Sequence, residues 1–482
     1  MSSFYGLDYG TTTSQLFSYD NGVFKEIYKG RSAVKVFNKK EVKTGADALN
    51  DVDANGFLVE SPKRAIDNLG NVINGVTYKE MMAAILLKMV KEVNIGHDSH
   101  ITLTVPNSYD DIKSFSMYQI LDDCLNERAN NRTNHNIEIH ILPEPVAAAL
   151  FYVYRHIKEL PNTSHLVVCD IGGGTTDLCI VECKKETGKL RFSVIKDSMQ
   201  HSDEIGGNKF DDEIQKRINF PLEVSPMGKK NMCQDLKCEL SEKEEHSILK
   251  GTIWLTRSEF EIYIDKYLHK LKTLMEEMLE QTRLSADDTW YILPVGGSCQ
   301  IPAIRRTLEE VFVGARQTAE EEHTIFDSVA QGATVYSAWC AGALSIDGYN
   351  EISIENRTQH EYQIYNFYRE WQTLFPANLT NGIYPKDNTD NITLLAGNEN
   401  VKINKKEGNY TIGDIKIKEK KENAKPLECK HDKAFRLEGR SIDKIKVQLG
   451  VEIKDCHIVR WWLKDCLTNE IQEWTLKASL NP

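Results

Sequence analysis

Residues 166–182 read LVVCDIGGGTTDLCIVE, and this stretch decides the fold. An apolar run ends in Asp170, a glycine turn follows, and apolar residues resume after Thr175, Thr176 and Asp177. Short apolar runs on either side of a glycine turn predict the two strands of a hairpin. The turn itself contains Gly172, Gly173 and Gly174.

Glycines at such a turn indicate a phosphate site. Without a Cβ atom the backbone N–H groups approach a ligand closely, and successive N–H groups form a concavity that binds anions. A carboxylate at the end of the preceding strand, here Asp170, lies where a hydrated Mg²⁺ beside phosphates is expected. The first hypothesis is therefore a site for nucleotide phosphates and magnesium.

The turn differs from two common phosphate-binding motifs. A P-loop places Gly-Lys-Ser/Thr after its glycines, and residues 175–177 do not match this pattern. A dinucleotide-binding fold continues into a helix, whereas the apolar run here predicts a strand. A single turn of this kind is more often a plain hairpin, so the functional interpretation depends on a second copy.

The chain opens with a second copy of the same layout. Residues 4–8 predict a strand that ends in Asp8, and a second strand follows the turn at 16–19. A repeated unit of this kind indicates a duplicated domain. Two facing hairpins would clasp phosphates from both sides, with Asp8 and Asp170 sharing one metal ion and threonine hydroxyls as further donors. The predicted phosphate contacts of this turn are Gly10, Thr11, Thr12 and Thr13.

A third glycine site lies further along the chain. Residues 289–295 predict a strand, and Gly296, Gly297 and Ser298 follow it. A helix then begins near Pro302, which suits a first helical turn because its missing N–H would be unpaired there anyway. A glycine pair before a helix start allows close approach of a nucleoside or phosphate.

Together these motifs resemble the nucleotide-binding domain of the seventy-kilodalton heat-shock chaperones of the DnaK type, within the actin and sugar-kinase superfamily. Residues 8–14 and 170–177 resemble the two phosphate motifs, and residues 295–302 resemble the adenosine motif. Further matches lie, in family order and spacing, at 101–107, 143–149, 206–211, 237–241 and 327–333. The resemblance covers roughly the first 340 residues.

The resemblance implies catalytic roles. Lys63 corresponds to the family lysine that reaches the γ-phosphate, where a cation stabilises charge on the transferred phosphoryl group. Glu144 corresponds to a glutamate near the metal and the hinge. On the residues alone, Lys63 is a surface lysine beside a turn and Glu144 is a favourable charge at a helix start.

The remaining catalytic roles follow from the same resemblance. Asp8, Asp170 and Asp177 would hold the hydrated metal ion and orient the attacking water, with Asp8 and Asp170 as the metal residues. Thr175 would contact the γ-phosphate. The expected ligands are therefore ATP or ADP together with Mg²⁺.

The nucleoside side of the site departs from the family. Gln300 replaces an arginine that stacks on adenine in many members, which removes a cation–π contact worth about 0.5–2 kcal/mol. Gln234 replaces a family glutamate. Adenosine binding is therefore expected to be weaker than phosphate binding. The other nucleotide-binding residues that the resemblance implies are Gly206, Gly207, Lys237, Ser241 and Asp327.

Composition limits the classes of partner and compartment. The net charge of −12 argues against nucleic acid as the main partner, because phosphate contact needs basic surface. The 11 cysteines lack paired spacing, which favours reduced thiols in a cytoplasmic protein. With no charged-then-apolar leader and no apolar run of ~18 residues, no membrane association is expected.

The expected fold class is α/β. A two-lobed actin-like ATPase domain of duplicated ribonuclease-H-like subdomains is predicted at 1–342, with lobes at about 1–165 and 166–342. A linker is predicted at 343–349. Residues 350–482 predict a small all-β, sandwich-like domain that resembles the family's substrate-binding domain, without room for a helical lid. Its clearest strand alternates apolar and polar residues at 444–453.

The resemblance implies an ATP-dependent chaperone of the stress response. Slow ATP hydrolysis would drive lobe closure and so control binding of an unfolded peptide or protein by the β-domain. A J-domain co-chaperone and a nucleotide-exchange factor are the other expected partners, and the chain is expected to be a monomer. Two alternatives stay open: a nucleotide-dependent binding switch with little hydrolysis and one dedicated partner, and a small-molecule kinase.

Overall fold

A computed structural model describes most of the first 355 residues. The described residues are 3–39, 41–51, 55–91, 99–129, 137–195, 197–282, 284, 290–317 and 324–355, followed by the separate strand segments between 362 and 475 given below. Within these residues, no helix combines the length and the apolar character needed to cross a membrane.

The N-terminal part forms a mixed five-stranded sheet with helices. Its elements are β1 (Phe4–Tyr9), β2 (Thr13–Asp20), β3 (Val23–Arg31), β4 (Val34–Asn38), β5 (Glu41–Thr44), α1 (Ala46–Asn50), β6 (Phe57–Val59), a 3₁₀ segment (Pro62–Asn68), β7 (Val72–Ile73), β8 (Val76–Thr77), α2 (Tyr78–Val90), β9 (Ser99–Val105), α3 (Asp111–Ala129), β10 (Ile137–Pro143) and α4 (Glu144–His156). The strand order in the first sheet is β10-β9-β1-β2-β3.

Local sequence explains why α2 forms where it does. Thr77 and Glu80 make a reciprocal capping box, in which each side chain accepts a hydrogen bond from the other residue's backbone N–H. Apolar side chains recur every three or four residues along the helix and are fully buried against the first sheet. These side chains are Met81, Met82, Ile85, Leu86, Met89 and Val90. The spacing of these apolar residues in the sequence therefore sets which face of α2 is buried.

The second sheet follows directly. Its region contains β11 (Thr163–Ile171), β12 (Thr176–Glu186), β13 (Lys189–Val194), β14 (Gln200–Ser202), α5 (Gly207–Arg217), α6 (Pro226–Glu242), β15 (Glu245–Ile248), a 3₁₀ segment (Leu249–Gly251), β16 (Ile253–Thr256), α7 (Arg257–Thr282), β17 (Trp290–Val295), a 3₁₀ segment (Gly297–Gln300), α8 (Pro302–Val311), β18 (Arg316–Gln317), α9 (Thr324–Cys340) and β19 (Glu351–Glu355). The order is β18-β17-β11-β12-β13-β19, with β14 also paired to β12.

The two sheets share one topology. In the first, β1 pairs antiparallel with β2 and parallel with β9, and β9 pairs parallel with β10. In the second, β11 pairs antiparallel with β12 and parallel with β17, and β17 pairs parallel with β18. A third antiparallel strand, β3 or β13, completes each meander. This is the repeated unit that the two glycine motifs predict.

Helices α4 and α9 pack together between the sheets, and small residues permit the close approach. A Cβ atom on Gly332 of α9 would lie 1.8 Å from the carbonyl oxygen of Ala147 in α4. A Cβ atom on Gly6 of β1 would lie 2.2 Å from the carbonyl oxygen of Ala330. The helix is thereby held against the strand that carries Asp8, which fixes the position of the glycine turn that follows this strand.

The described segments after residue 355 are all strands and turns. The strands are β20 (Tyr362–Tyr365), β21 (Trp371–Phe375), β22 (Gly382–Tyr384), β23 (Ile392–Leu395), β24 (Ile403–Lys406), β25 (Asn409–Ile412), β26 (Ile415–Glu419), β27 (Leu427–Cys429), β28 (Phe435–Arg436), β29 (Lys446–Lys454), β30 (Ile458–Asp465) and β31 (Ile471–Thr475). The β-rich character predicted for 350–482 holds for these segments, and the sandwich arrangement stays a prediction.

One strand near the predicted linker belongs to the second sheet. Glu351–Glu355, which the sequence groups with the C-terminal region, pairs in parallel with β13 at the edge of that sheet. Residue contacts therefore continue beyond the predicted linker at 343–349. The domain boundaries at 342 and 350 stay predictions.

Candidate nucleotide-binding site

Two glycine turns, one from each sheet, lie against each other. Gly10 and the threonines after it connect β1 to β2, and residues 172–175 connect β11 to β12. The second turn is closed by a 3.0 Å hydrogen bond from the Gly172 N–H to the Thr175 carbonyl oxygen. A Cβ atom on Gly173 would lie 2.6 Å from Thr12 Oγ1. Any larger residue at 173 would displace the Thr12 side chain, so glycine permits the close approach of the two turns.

A cavity of about 270 Å³ opens beside these turns and receives residues from both sheets. Its wall includes most of the predicted catalytic and nucleotide-binding residues: Asp8, Gly10, Thr11, Thr12, Thr13, Lys63, Glu144, Asp170, Gly172, Gly173, Gly174, Thr175, Asp177, Gly207, Lys237, Ser241, Gly296, Gly297 and Ser298. Motifs as much as 290 residues apart in the sequence thus form one site.

The floor of the cavity is strongly acidic. Asp8 accepts a 3.2 Å hydrogen bond from Thr104 Oγ1. Burial and then the Glu144 charge raise the pKa of Asp8, Lys63 and the Thr104 hydrogen bond lower it, and the net pKa is about 7. Burial also raises the pKa of Asp170 well above its usual range, and the charges of Glu144, Asp177 and Asp8 add to the effect.

Lys63 is buried beside these carboxylates. Its side chain is 4% exposed, and Nζ donates a 2.9 Å hydrogen bond to Glu144 Oε1. Nζ also lies 5.9 Å from the ring centroids of Tyr9 and Tyr109. Burial alone would lower the pKa of Lys63, but Glu144, Tyr109 and Asp8 outweigh it and hold the pKa above its ordinary value. The lysine is therefore a fixed cation inside the cleft and not a surface residue.

The donor set fits a divalent cation. Four carboxylates line the cavity, and the cation nearest to them, Lys63, already pairs with Glu144. The Glu144 charge raises the pKa of both Asp8 and Asp170, and the Asp8 charge raises that of Asp170 further, because buried negative charges disfavour one another. Carboxylate oxygens are the ligands that Mg²⁺ prefers, and a bound cation would relieve this repulsion.

The wall next to Asp170 is built from glycines and one helix. Gly296 has φ = +84°, and a Cβ atom there would lie 2.7 Å from Asp170 Oδ1. Ser298 Oγ donates a 3.0 Å hydrogen bond to the Gly172 carbonyl oxygen, which ties this turn to the second phosphate turn. Both residues thus hold the third glycine site against Asp170.

Helix α6 supplies the polar side chains of that wall. Lys237 Nζ donates hydrogen bonds to the Gly207 carbonyl oxygen (3.0 Å) and to Asp211 Oδ2 (2.9 Å). Ser241 Oγ donates a 3.1 Å bond to the Lys237 carbonyl oxygen one turn earlier. Both side chains line the cavity from one helix face, as their spacing of four residues predicts.

Two predicted residues lie behind the cavity wall. Gly206 packs against the second phosphate turn, where its Cβ atom would be 3.0 Å from the Gly174 carbonyl carbon. Asp327 Oδ1 accepts hydrogen bonds from Gln15 Nε2 (2.8 Å) and Lys29 Nζ (3.1 Å). Their positions support the wall, and Asp327 also joins α9 to the first hairpin.

Sequence reasoning missed several residues at the site. Gln15, Arg31, Asn208 and Phe326 line the cavity. Arg64 approaches the second phosphate turn so closely that a Cβ atom on Gly174 would meet its guanidinium group. The position of Arg64, directly after Lys63, was the only available signal.

Two further contacts bear on the predicted roles. His201 Nδ1 lies 2.8 Å from Asp177 Oδ1, and this hydrogen bond raises the pKa of His201. Gln234 and Gln300, the two departures from the family pattern, both line the cavity. The substitutions therefore fall where a nucleoside is expected and not on a remote surface.

Comparison with known proteins identifies the family. The sequence model described as Hsp70 protein matches residues 58–412, which is most of the chain. The chain belongs to the Hsp70 family. Members of this family are chaperone-type ATPases that bind ATP and ADP, and membership implies the actin-like ATPase fold, in agreement with the two sheets of like topology.

Individual relatives are similar at low identity. A chaperone protein DnaK of Mycoplasmopsis agalactiae is 27% identical over 374 aligned residues, covering 70% of this chain and 59% of the relative. A DnaK of Mycoplasmopsis pulmonis is 25% identical over 520 aligned residues, covering 98% of this chain and 78% of the relative. A chaperone protein HscA of Buchnera aphidicola is 28% identical over 188 aligned residues, covering 36% of this chain and 28% of the relative.

The chain spans about three fifths of the length of the first of these relatives. The activity, substrates and partners of the whole protein are therefore matters of proposal.

Proposed function

We propose that this Hsp70-family protein is an ATP-dependent molecular switch of the chaperone type. It binds Mg-ATP in the cleft, hydrolyses it slowly, and couples lobe closure to binding of a peptide or protein by its C-terminal β-rich region. The observation that carries the proposal is the meeting of two glycine–threonine turns beside the buried carboxylates Asp8 and Asp170.

The nucleotide is held from both sheets. Backbone N–H groups and threonine hydroxyls of the two turns bind the phosphates, with Thr175 at the γ-phosphate. The nucleoside lies between the Gly296 turn and α6, against Lys237 and Ser241. Gly206 and Asp327 support this pocket from behind.

Hydrolysis rests on positioning and charge. Asp8 and Asp170 hold Mg²⁺, which when bound neutralises charge on the phosphate oxygens. Asp177 orients the attacking water. Lys63, already fixed by Glu144, stabilises the charge that develops on the transferred phosphoryl group.

The partners follow from the family. An unfolded peptide or protein is the client, and a J-domain co-chaperone and a nucleotide-exchange factor are further proposed partners. The acidic net charge of −12 makes nucleic acid an unsuitable partner. A monomer in the cytoplasm, acting in the stress response, completes the proposal.

A second candidate is a nucleotide-dependent binding switch with negligible hydrolysis and one dedicated partner. Gln300 and Gln234 favour it, because both lie in the cavity wall where the family has charged residues. Weaker adenine contacts would suit a protein that holds nucleotide without rapid turnover. A small-molecule kinase has less support, because its reaction would not require a C-terminal region of strands.

The two candidates differ in hydrolysis. Single-turnover ATP hydrolysis should proceed in the wild-type protein and fall by roughly 10²–10³-fold in Lys63→Ala and in Asp8→Ala, the range for losing one preorganised electrostatic group. Lys79→Ala is the matched control, because Lys79 is 41% exposed and pairs with Asp123 on the surface. Adding an unfolded peptide should accelerate turnover.

Loss of folding must be separated from loss of chemistry. Removing Lys63 alone leaves Glu144 without its buried partner, which destabilises the fold. Lys63→Met combined with Glu144→Gln removes both charges and keeps similar volumes. Wild-type turnover in this folded double variant would refute the assignment of Lys63, and absence of hydrolysis in the wild-type protein would favour the binding switch.

A further inference from the structure

Two histidines and a glutamate converge at the edge of the first sheet, away from the nucleotide cleft. His100 lies in β9, and Glu138 and His140 lie in the edge strand β10. Glu138 is the strand partner of His100. His140 follows Glu138 by two residues, so its side chain projects from the same face of the sheet. Three metal-ligating side chains thereby share one patch.

The ligand atoms have the separation that a metal ion requires. His100 Nδ1 lies 3.1 Å from His140 Nε2, and Glu138 Oε2 lies 3.8 Å from each of these nitrogens. For Zn–N bonds of about 2.0–2.1 Å in a tetrahedron, neighbouring ligand atoms are about 3.3 Å apart. The observed triangle is therefore close to one face of a zinc coordination tetrahedron.

The surroundings hold the two imidazoles in place. Their rings are nearly parallel, at 6° and 5.4 Å between centroids. His140 packs edge-on to the Tyr336 ring of α9 at 5.9 Å, and His100 packs against Phe4 at 6.3 Å. Fixed rings lose little rotamer freedom when they bind a metal ion.

The patch is also accessible. The His140 side chain is 3% exposed and that of His100 is 12% exposed, whereas the Glu138 carboxylate is 57% exposed. A metal ion can enter from the glutamate side, and a water molecule can take the fourth position. Two buried nitrogens beneath one exposed carboxylate thus form an open site and not a closed structural cage.

We propose that His100, Glu138 and His140 form a binding site for a divalent transition-metal ion, with Zn²⁺ the preferred ion. Two imidazoles and one carboxylate suit Zn²⁺, Ni²⁺ or Cu²⁺, and not Mg²⁺, which prefers oxygen ligands alone. The site is distinct from the magnesium site of the cleft and does not depend on ATP hydrolysis.

The place of the site in the fold indicates what it does. It joins β9 to the edge strand β10, whose other end leads into Glu144 at the start of α4. His140 and Glu144 are four residues apart, or about 13 Å along an extended strand. A bound ion therefore stabilises the edge of the first sheet without contacting nucleotide.

Calorimetric titration of the chelator-treated full-length protein with ZnCl₂ tests the site. Excess Mg²⁺ keeps the carboxylates of the cleft occupied, and Cys238→Ser with Cys466→Ser removes two exposed thiols that also bind zinc. One equivalent of Zn²⁺ should bind. The affinity should fall by at least roughly 10–100-fold in His100→Gln and in Glu138→Gln, since even residues outside the ligand set cost that much.

A matched control and two further readouts complete the design. His269→Ala removes an exposed histidine that pairs with one carboxylate, Asp265, at 3.5 Å, and it should leave the affinity unchanged. Zn²⁺ should raise Tm in the parent protein but not in Glu138→Gln. Because the Glu138 side chain is exposed, this substitution should not disturb folding, and misfolding would not account for the lost stabilisation. Bound Co²⁺ should show tetrahedral absorption bands without a thiolate charge-transfer band.

Three results would overturn the proposal. The first is the absence of a zinc-binding heat, which would leave a histidine–histidine hydrogen bond as the whole role of the cluster. The second is binding that His100→Gln and Glu138→Gln do not weaken. The third is a thiolate charge-transfer band with Co²⁺, which would place the metal ion on a cysteine instead.

Discussion

The buried carboxylates of the cleft are a cost to stability that the proposed ligand relieves. Asp170 is the clearest case, because its pKa is raised by burial and by three neighbouring carboxylates. Asp170→Asn should therefore raise Tm in the absence of nucleotide, because it removes a buried carboxylate that its surroundings disfavour. The gain should be largest at alkaline pH and shrink as the pH falls, because the wild-type carboxyl is then neutral in both states.

Thermal unfolding with and without Mg-ATP separates this effect from a general one. Mg-ATP should stabilise the wild-type protein much more than Asp170→Asn, which has lost a predicted metal ligand. Asp20→Asn, at the exposed end of β2, should change neither the Tm without nucleotide nor the increase in Tm that Mg-ATP causes. Equal stabilisation of wild type and Asp170→Asn by Mg-ATP would argue against Asp170 as a metal residue.

A substitution at Gln300 should strengthen ATP binding. It lines the cavity where many family members carry an arginine over adenine. Gln300→Arg should therefore tighten ATP binding by roughly 2–30-fold, the equivalent of a cation–π contact of about 0.5–2 kcal/mol. The gain should be absent for inorganic triphosphate, which has no base, and absent in Gln281→Arg on the exposed surface of α7. Unchanged affinity would place the base elsewhere.

At the scale of elements, the helix pair α4 and α9 is the most constrained contact. Gly332→Ala would place a Cβ atom 1.8 Å from the Ala147 carbonyl oxygen, and neither helix backbone can yield easily. The substitution should destabilise the protein by about 1–3 kcal/mol, the usual cost of overpacking. Denaturant unfolding measures this change.

A glycine in another helix supplies the control. Gly228 lies in the first turn of α6, where the nearest neighbours of an added Cβ atom are the side chains of Val224 and Ser225 at 3.2–3.3 Å. Gly228→Ala should be neutral or slightly stabilising, because alanine favours helix. Equal effects of the two substitutions would show that α4 and α9 are not packed as described.

The sequence predicted elements well where a local pattern specifies them. The hairpins around Asp8 and Asp170 are present, and the alternating strand predicted at 444–453 is observed at Lys446–Lys454. Contacts between residues far apart in the sequence have no such local pattern to predict them. Arg64 against Gly174, and Gln15 bonded to Asp327, join residues more than 100 positions apart through ordinary-looking side chains.

The same reasoning explains Lys63 and the His100 cluster. As isolated letters, a lysine beside a turn and a histidine in a strand have many structural roles. Their chemical roles can be recognised only once the parallel pairing of β9 with β10 and the placement of α4 bring their partner side chains together. Sheet register decides this pairing, and a single sequence does not specify it.

At the scale of the whole molecule, one supersecondary unit occurs twice, once in each of the two large sheets. Each sheet presents a glycine turn and a strand-end aspartate, and α9 holds the first turn through Gly6 and Asp327. The proposed nucleotide would bridge both turns and would therefore bind best when the two sheets close on it. Binding energy at the cleft is thus available to change the relative position of the two halves.

The most direct test of this account is calorimetric titration of the nucleotide-free protein with ATP, in the presence and absence of Mg²⁺. We expect one ATP per chain, affinity that depends on Mg²⁺, and loss of that dependence in Asp8→Ala. Absence of ATP binding, or binding that is equal with and without Mg²⁺ in the wild-type protein, would contradict the claim that Asp8 and Asp170 hold a metal-bound triphosphate between the two turns.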